Sequence, residues 1–212
     1  MLLRKRNLQL IAVADQSALR VNISLHDAVE RAVKGGVGSV LLREDRLGKD
    51  ALMREAVRLK ILCGMYDVPF FIMNRLDIAQ AVDADGVVVR GEEFDARAIR
   101  RAMGSDRAIG VIIKTAEKAR QAEEDGAAFL FVGPMRVKEG ENGEETITTE
   151  ELMEVCGNVR IPVVAYGGIA DDDMNSLRGT GICGIGVATG IFSQNDIENA
   201  AKLFREQAAE VL

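Results

Sequence analysis

Small residues follow two short apolar runs near the C-terminus, and their spacing is suited to holding a phosphate group. Two glycines follow the run 161–166, and an Ala-Thr-Gly sequence follows the run 184–187. Two buried strands that each end in small residues before a helix let backbone N–H groups approach and bind an anion. Alternatively, the glycines only permit close packing of helix on strand. We predict that the backbone of the following residues binds a phosphate: Gly167, Gly168, Gly186, Val187, Ala188 and Thr189.

Length and composition indicate one α/β domain spanning residues 1–212. The chain is 48% hydrophobic and only 4% aromatic, with 21 Gly and 3 Pro, which suits a sizeable core. A net charge of −6 argues against a nucleic-acid partner. Three widely spaced cysteines are typical of reduced thiols, and the apolar stretch after the basic start is too short for a signal or membrane segment. We therefore expect a cytoplasmic protein with no membrane partner.

Apolar runs alternate with amphipathic stretches at a spacing of about 25 residues, which predicts repeated βα units. Strands are predicted at 8–14, 39–43, 70–73, 86–89, 109–113, 129–132, 163–166 and 184–187. Helices are predicted at 24–34, 49–62 and 196–211, with shorter ones after Leu76, Asp95, Thr115, Thr149 and Asp172. Eight units predict an α/β (β/α)8 TIM barrel, because a doubly wound sheet would need fewer strands and a glycine-rich fingerprint after the first.

The longest predicted connection, 134–148, is rich in Gly and Glu and follows the sixth strand. It lies on the face where barrel active sites form, so it is a candidate lid. The alternative is an acidic, solvated loop without a role in chemistry.

Five segments together resemble, in order and spacing, the thiamine phosphate synthase and TenI family. They are 40–44 (VLLRE), 68–75 (VPFFIMNR), 84–87 (ADGV), 126–134 (GAAFLFVGP) and 161–169 (IPVVAYGGI), and the resemblance extends over essentially the whole chain. The resemblance implies a barrel that acts on thiazole phosphate in thiamin biosynthesis. In the synthase, hydroxymethylpyrimidine diphosphate joins thiazole phosphate, and Mg²⁺ and basic groups stabilise the departing diphosphate.

The family pattern after the second strand, Gln-x-Arg-Glu-Lys, is altered here. Its Gln, Arg and Lys contact the diphosphate, and this chain has Leu41, Arg43 and Asp45 at those positions. Asp45 replaces an attractive charge with a repulsive one. The resemblance therefore assigns the diphosphate to Arg43 and implies a degraded site with low or lost activity.

The two metal positions of the family are also altered. Asn74 stands where the family's Asn-Asp-Arg has a Mg²⁺-binding aspartate, so it is assigned to the pyrimidine diphosphate and weakly to the metal. The family segment Asp-Gly-Val-His-Leu-Gly-Gln corresponds to 85–91, with Val88 and Gly91 for its His and Gln. The second metal aspartate aligns with Glu93. One negative charge instead of two predicts weakened Mg²⁺ binding.

Basic candidates for catalysis, beside Arg43, are two lysines. Lys114 follows the fifth strand, where the family has Ser-Thr-His. It either contributes positive charge to the site or is a solvated lysine without a role there. Lys138, or Arg136, is the nearest basic residue to the family's Thr-x-Thr-Lys.

Three functions follow from the resemblance. The first is a divergent thiamine phosphate synthase. The second is a TenI-like thiazole phosphate isomerase, which needs no Mg²⁺, although this chain lacks the histidine that TenI enzymes have near the position of Pro134. The third is a noncatalytic thiazole-phosphate-binding regulator. An apolar helical face would also suit a homodimer.

Overall fold

Each of the eight strands is a short apolar run, as expected for parallel strands buried on both faces. In the computed structural model the strands pair in chain order, all parallel, and the eighth pairs with the first to close a barrel. The structure describes residues 3–20, 22–44, 46–91, 95–136 and 146–212, except the side chains of Ala96, Asp171 and Asp172. The predicted TIM barrel is confirmed.

The strands are β1 (Leu10–Ala14), β2 (Ser39–Leu42), β3 (Phe70–Met73), β4 (Gly86–Arg90), β5 (Ala108–Ile113), β6 (Phe129–Val132), β7 (Val163–Tyr166) and β8 (Gly184–Val187). The helices are α1 (Lys5–Leu8), α2 (Leu25–Lys34), α3 (Lys49–Met65), α4 (Leu76–Ala81), α5 (Ala96–Met103), α6 (Ala116–Glu124), α7 (Thr149–Asn158), α8 (Thr189–Phe192) and α9 (Ile197–Val211). No helix among the described residues has the length and apolar character needed to span a bilayer.

Several helices begin where a side chain caps them. Ser24 Oγ accepts from the N–H of Asp27 at 3.1 Å, and Thr115 and Thr148 cap α6 and α7 in the same way. Such caps satisfy N–H groups that the first turn leaves without partners. The predicted start of α2 at Ser24 is therefore the cap of a helix that begins one residue later.

Three predicted elements differ in the structure. The segment after β7 is a 3-10 helix, Asp171–Leu177, because its Asp, Asn and Ser residues favour local side-chain bonds over a regular α-helix. Predicted strand 8–14 begins only at Leu10, since α1 occupies the preceding turn. The helix α3 also runs past Gly64 and ends before Asp67, which has a positive φ of 55°.

Two sets of side chains fill the two faces of the barrel sheet. One set packs between strands and helices, and the other fills the inside. The inner set comprises Leu8, Ile11, Val13, Leu41, Phe71, Met73, Val88, Phe129, Phe131, Val164 and Cys183. Because successive side chains point to opposite faces of a strand, the inner set recurs at every second residue.

Aromatic rings occupy the middle of the barrel. The ring of Phe129 lies 5.6 Å from that of Phe71 and 5.7 Å from that of Phe131, and Phe131 meets Tyr166 edge-on at 5.5 Å. Gly110 leaves room for this stack, since a Cβ there would lie 2.6 Å from the ring of Phe129.

We predict opposite effects of alanine at two glycines. Gly110→Ala overpacks the aromatic stack and should lower the free energy of unfolding by about 1–3 kcal/mol. Gly157→Ala, in α7 with nothing within 4 Å of the added Cβ, should raise it by roughly 0.5–1 kcal/mol. Urea unfolding of both variants measures this, and an unchanged midpoint for Gly110→Ala would show that the stack has spare room.

Candidate functional site

The carboxyl ends of all eight strands open on one face, which we call the mouth. Its floor is apolar, formed by inner side chains at the strand ends: Val13, Met73, Ile112, Tyr166 and Ala188. Polar residues that directly follow the strands form its rim. Active sites of (β/α)8 barrels lie on this face.

An ion pair joins the rim after β1 to the rim after β2. The Arg43 guanidinium donates through Nε at 3.0 Å and Nη2 at 2.8 Å to Asp15 Oδ2. Ser17 donates to the other oxygen through its N–H at 2.8 Å and its Oγ at 2.6 Å. The side chain of Asp15 is 11% exposed and that of Arg43 33%. This network fixes the orientation of the guanidinium.

Burial and hydrogen bonding act in opposite directions on Asp15. Burial alone raises the pKa of its carboxyl, but the bonds from Ser17 and Arg43 outweigh it and hold the pKa below its usual value. Asp15 is therefore a charged carboxylate at neutral pH.

Glu44, the second acid near this ion pair, is also engaged within the protein. Its carboxylate accepts from the N–H of Arg46 at 3.0 Å and from that of Gln16 at 3.4 Å, and the residue is buried. Glu44 thus links the loops after β1 and β2. Leu41, where the family has a diphosphate-binding glutamine, is fully buried inside the barrel and offers no polar group.

Asn74 holds a turn after β3. Its backbone has a positive φ of 57°, which asparagine tolerates better than most residues. Its N–H donates to Val88 O at 2.9 Å, and its side-chain Oδ1 accepts from the N–H of Arg90 at 3.2 Å. The amide therefore ties the end of β3 to the end of β4.

The described residues do not by themselves fit a Mg²⁺ site. They contain no group of three or more His, Cys, Asp or Glu that would hold a metal. The carboxylate oxygens of Asp15 and Glu44 already accept hydrogen bonds from protein donors, and Asn74 Oδ1 accepts one from a backbone N–H. The predicted ligand Glu93 lies outside the described residues.

The remaining predicted cations have different positions. Lys114 directly follows β5 and is partly buried. Arg136 pairs with Asp173 beside the 3-10 helix. Lys138 and Asp45 lie outside the described residues.

The predicted lid, 134–148, also falls largely outside them, but its two ends are joined. The N–H of Ile147 donates to Pro134 O at 3.0 Å. The N–H of Met135 donates at 3.0 Å to the carbonyl oxygen of Tyr166, the last residue of the neighbouring strand β7. The connection therefore leaves and re-enters the fold beside β7.

The structure brings the predicted phosphate-binding segments together, because β7 and β8 are neighbours in register. Among the described residues, no acceptor takes a hydrogen bond from the N–H groups of Gly167, Gly168, Ala188 or Thr189. Loops after the last two strands, with a short extra helix such as α8, are a frequent phosphate site in these barrels. These amides are available for an anion.

Glycine is needed in this loop for a steric reason as well. Gly168 has a φ of 68°, and a Cβ there would lie 2.3 Å from the carbonyl oxygen of Arg136. Gly186 and Val187 lie within β8, and a Cβ on Gly186 would lie 2.7 Å from the ring of Phe131. Packing thus accounts for Gly186, as the alternative interpretation of these glycines expects.

Two rim residues, Asp15 and Arg90, were not among the candidates from sequence. Arg90 ends β4 and is exposed. Each follows an inner residue, Val13 or Val88, by two positions. A charged residue two positions beyond the last inner apolar residue is a signal that would have identified both.

A cavity of about 640 Å³ lies at the opposite end of the barrel. It is lined by residues that precede the strands, among them Arg107, Ala128 and Cys183. Arg100 and Arg107 there already donate to backbone carbonyls. These cations hold loops together, so we place the functional site at the mouth.

Comparison with known proteins identifies the family of the chain. The family model described as thiamine monophosphate synthase matches residues 10–191. The chain is 37% identical over 183 residues to a thiamine-phosphate synthase of Ruminiclostridium cellulolyticum, covering 86% of this chain and 87% of that one. It is 34% identical over 195 residues to that of Clostridium acetobutylicum, covering 92% of each.

A solved structure gives the same result. The thiamine phosphate pyrophosphorylase from Pyrococcus furiosus superposes with a TM-score of 0.87 at 28% identity, covering 98% of each chain. Because the family model matches most of the chain and the two thiamine-phosphate synthases are more than 30% identical to it over most of both lengths, the chain belongs to the thiamine monophosphate synthase family.

Proposed function

We propose that this protein joins hydroxymethylpyrimidine diphosphate to thiazole phosphate and releases diphosphate. One observation carries the proposal: a single apolar mouth has two different kinds of anion-binding group on opposite sides. The amides after β7 and β8 have no acceptor among the described residues, whereas cations lie at the ends of β2, β4 and β5. In the closed order of eight strands, the cations span β2 to β5 and the amides follow β7 and β8, so β1 and β6 separate the two groups and the middle of one faces the middle of the other.

The amides after β7 and β8 suit the thiazole phosphate. Backbone N–H groups in tight turns bind a phosphate through several directed hydrogen bonds. Tyr166 ends β7 on the floor beside them, next to Phe131, and gives the heterocycle an aromatic surface.

Arg43 suits the diphosphate. Its bonds to Asp15 use Nε and Nη2, and Nη1 has no hydrogen-bond acceptor among the described residues. A cation held in place before substrate arrives stabilises the leaving group without reorganisation. Lys114, on the rim after β5, adds a second charge in this proposal.

We further propose that turnover is slow. Leu41 offers no polar contact, and the changes at positions 45 and 74 remove charge that would favour a bound diphosphate–metal complex. Metal binding by Asn74 and Glu93 stays a prediction, as does the homodimer.

The isomerase and the regulator remain as outcomes of the tests. Both would need only the amides after β7 and β8, and neither gives a role to the cations on the opposite rim. For this reason the synthase reaction accounts for more of the mouth.

We predict that Gly168→Ala removes thiazole phosphate binding. The added methyl meets the Arg136 carbonyl and moves the loop, so the dissociation constant for thiazole phosphate should rise at least about tenfold. Gly179→Ala is the control, because Gly179 also has a positive φ (77°) but open space around a Cβ. Titration calorimetry measures both, and wild-type affinity in a folded Gly168→Ala protein would contradict the assignment.

We predict that Asp15→Asn destabilises the protein by about 2 kcal/mol at pH 7, because Arg43 loses its charged partner. Because the pKa of Asp15 is lowered in the folded protein, the stability that its carboxylate contributes is fully present above the unfolded-state pKa. This stability is lost as the pH falls through the folded-state pKa. The difference in the free energy of unfolding between wild type and Asp15→Asn should therefore shrink below about pH 4.

The matched control is Asp83→Asn, which removes the partner of Arg107 where the Asp83 side chain is 83% exposed. An exposed pair should contribute less than about 1 kcal/mol. Urea unfolding at several pH values gives all three free energies. Equal losses in the two variants would mean that the Asp15 pair is no more than a surface contact.

The direct test of function combines binding and turnover. We expect calorimetry to show binding of thiazole phosphate and of pyrimidine diphosphate, with and without Mg²⁺, and chromatography to show thiamine phosphate in the mixture. Binding of thiazole phosphate alone, without product, would favour the isomerase or the regulator over the synthase.

A further inference from the structure

Arg90 points into the mouth. Along β4, Val87 and Val89 pack toward the helices, whereas Val88 belongs to the inner set. The alternation of a strand places Arg90 on the same face as Val88. Its register partner on β5, Ile112, also packs against the inner set. The guanidinium therefore rises from the wall of the mouth, above the apolar floor.

The position of Arg90 completes a row of cations. Arg43 follows β2, Arg90 ends β4 and Lys114 follows β5. Neighbouring strands are about 4.8 Å apart, so the row extends over roughly 14 Å of the rim. A guanidinium binds phosphate oxygens in a two-pronged geometry that a lysine does not provide.

Arg90 is also coupled to Asn74. The side-chain oxygen of Asn74 accepts from the N–H of Arg90 at 3.2 Å, so the two residues are adjacent across β3 and β4. In the family pattern these two positions carry a metal-binding aspartate and a glycine. This chain therefore has the neutral Asn74 at the first position and the positively charged Arg90 at the second, and a hydrogen bond joins the two residues.

We propose that Arg90 binds the diphosphate of the pyrimidine substrate and supplies positive charge where the family pattern relies on a metal-binding carboxylate. This inference rests on the proposed function. Arg90 already takes part in a polar or electrostatic contact within the protein, and the diphosphate joins or replaces that contact. When the bond between the pyrimidine methylene and the diphosphate oxygen breaks, its electron pair leaves with the oxygen, whose charge Arg90 stabilises.

Binding of inorganic diphosphate tests the role of Arg90 separately from turnover. Calorimetry without Mg²⁺ should show that Arg90→Gln raises the dissociation constant for diphosphate about tenfold. Arg90→Lys should lie between wild type and Arg90→Gln, and the affinity for thiazole phosphate should not change. The control is Arg101→Gln, an exposed arginine on the outer helix α5, which should bind diphosphate as wild type does.

An unchanged diphosphate affinity in Arg90→Gln, or an equal loss in Arg101→Gln, would overturn the inference. In turnover, Arg90→Gln should raise the KM for pyrimidine diphosphate and leave that for thiazole phosphate unchanged. If wild type forms thiamine phosphate and Arg90→Gln is kinetically identical to it, the function stands and the inference fails. If wild type forms no product but Arg90→Gln still weakens diphosphate binding, the proposed function fails and the anion site stands.

Discussion

The closed parallel barrel imposes the constraint on which the site depends. Every strand ends on the same face, and every second side chain points inward. Below the rim this inner series is apolar, as with Val13 and Val88, and two residues later it becomes charged, as with Asp15 and Arg90. The same alternation that fills the core therefore also selects which residues face a ligand.

In the proposed function, the two sides of the mouth bind anions by different physical means. After β7 and β8, the tight turn at Gly168 and the start of α8 leave backbone amides that have no acceptor in the part of the chain that the structure describes. After β2, the group that would bind an anion is the charged side chain of Arg43. Its bonds to the buried Asp15 fix the orientation of the guanidinium. Because the floor between them is apolar, water does not fully screen either group. A substrate pair with a phosphate at one end and a diphosphate at the other matches this division.

The architecture was predictable because parallel strands buried on both faces are continuous apolar runs, and eight such runs alternate with helices. Strands β3, β6, β7 and β8 have the predicted bounds. The 3-10 helix was not predicted, because only the local bonds of its Asp, Asn and Ser residues separate it from an α-helix. Available amides were predicted from glycine spacing. Asp15 and Arg90 were missed, since finding them requires following the inner face of each strand two residues beyond its last inner apolar side chain.

The central claim is that thiazole phosphate and diphosphate occupy separate sides of one mouth. The most direct measurement is the calorimetric affinity for thiazole phosphate in the presence of saturating inorganic diphosphate. Two separate sides predict that thiazole phosphate still binds and that a ternary complex forms. Loss of thiazole phosphate binding in proportion to added diphosphate would show that the two anions share one site and would contradict the account.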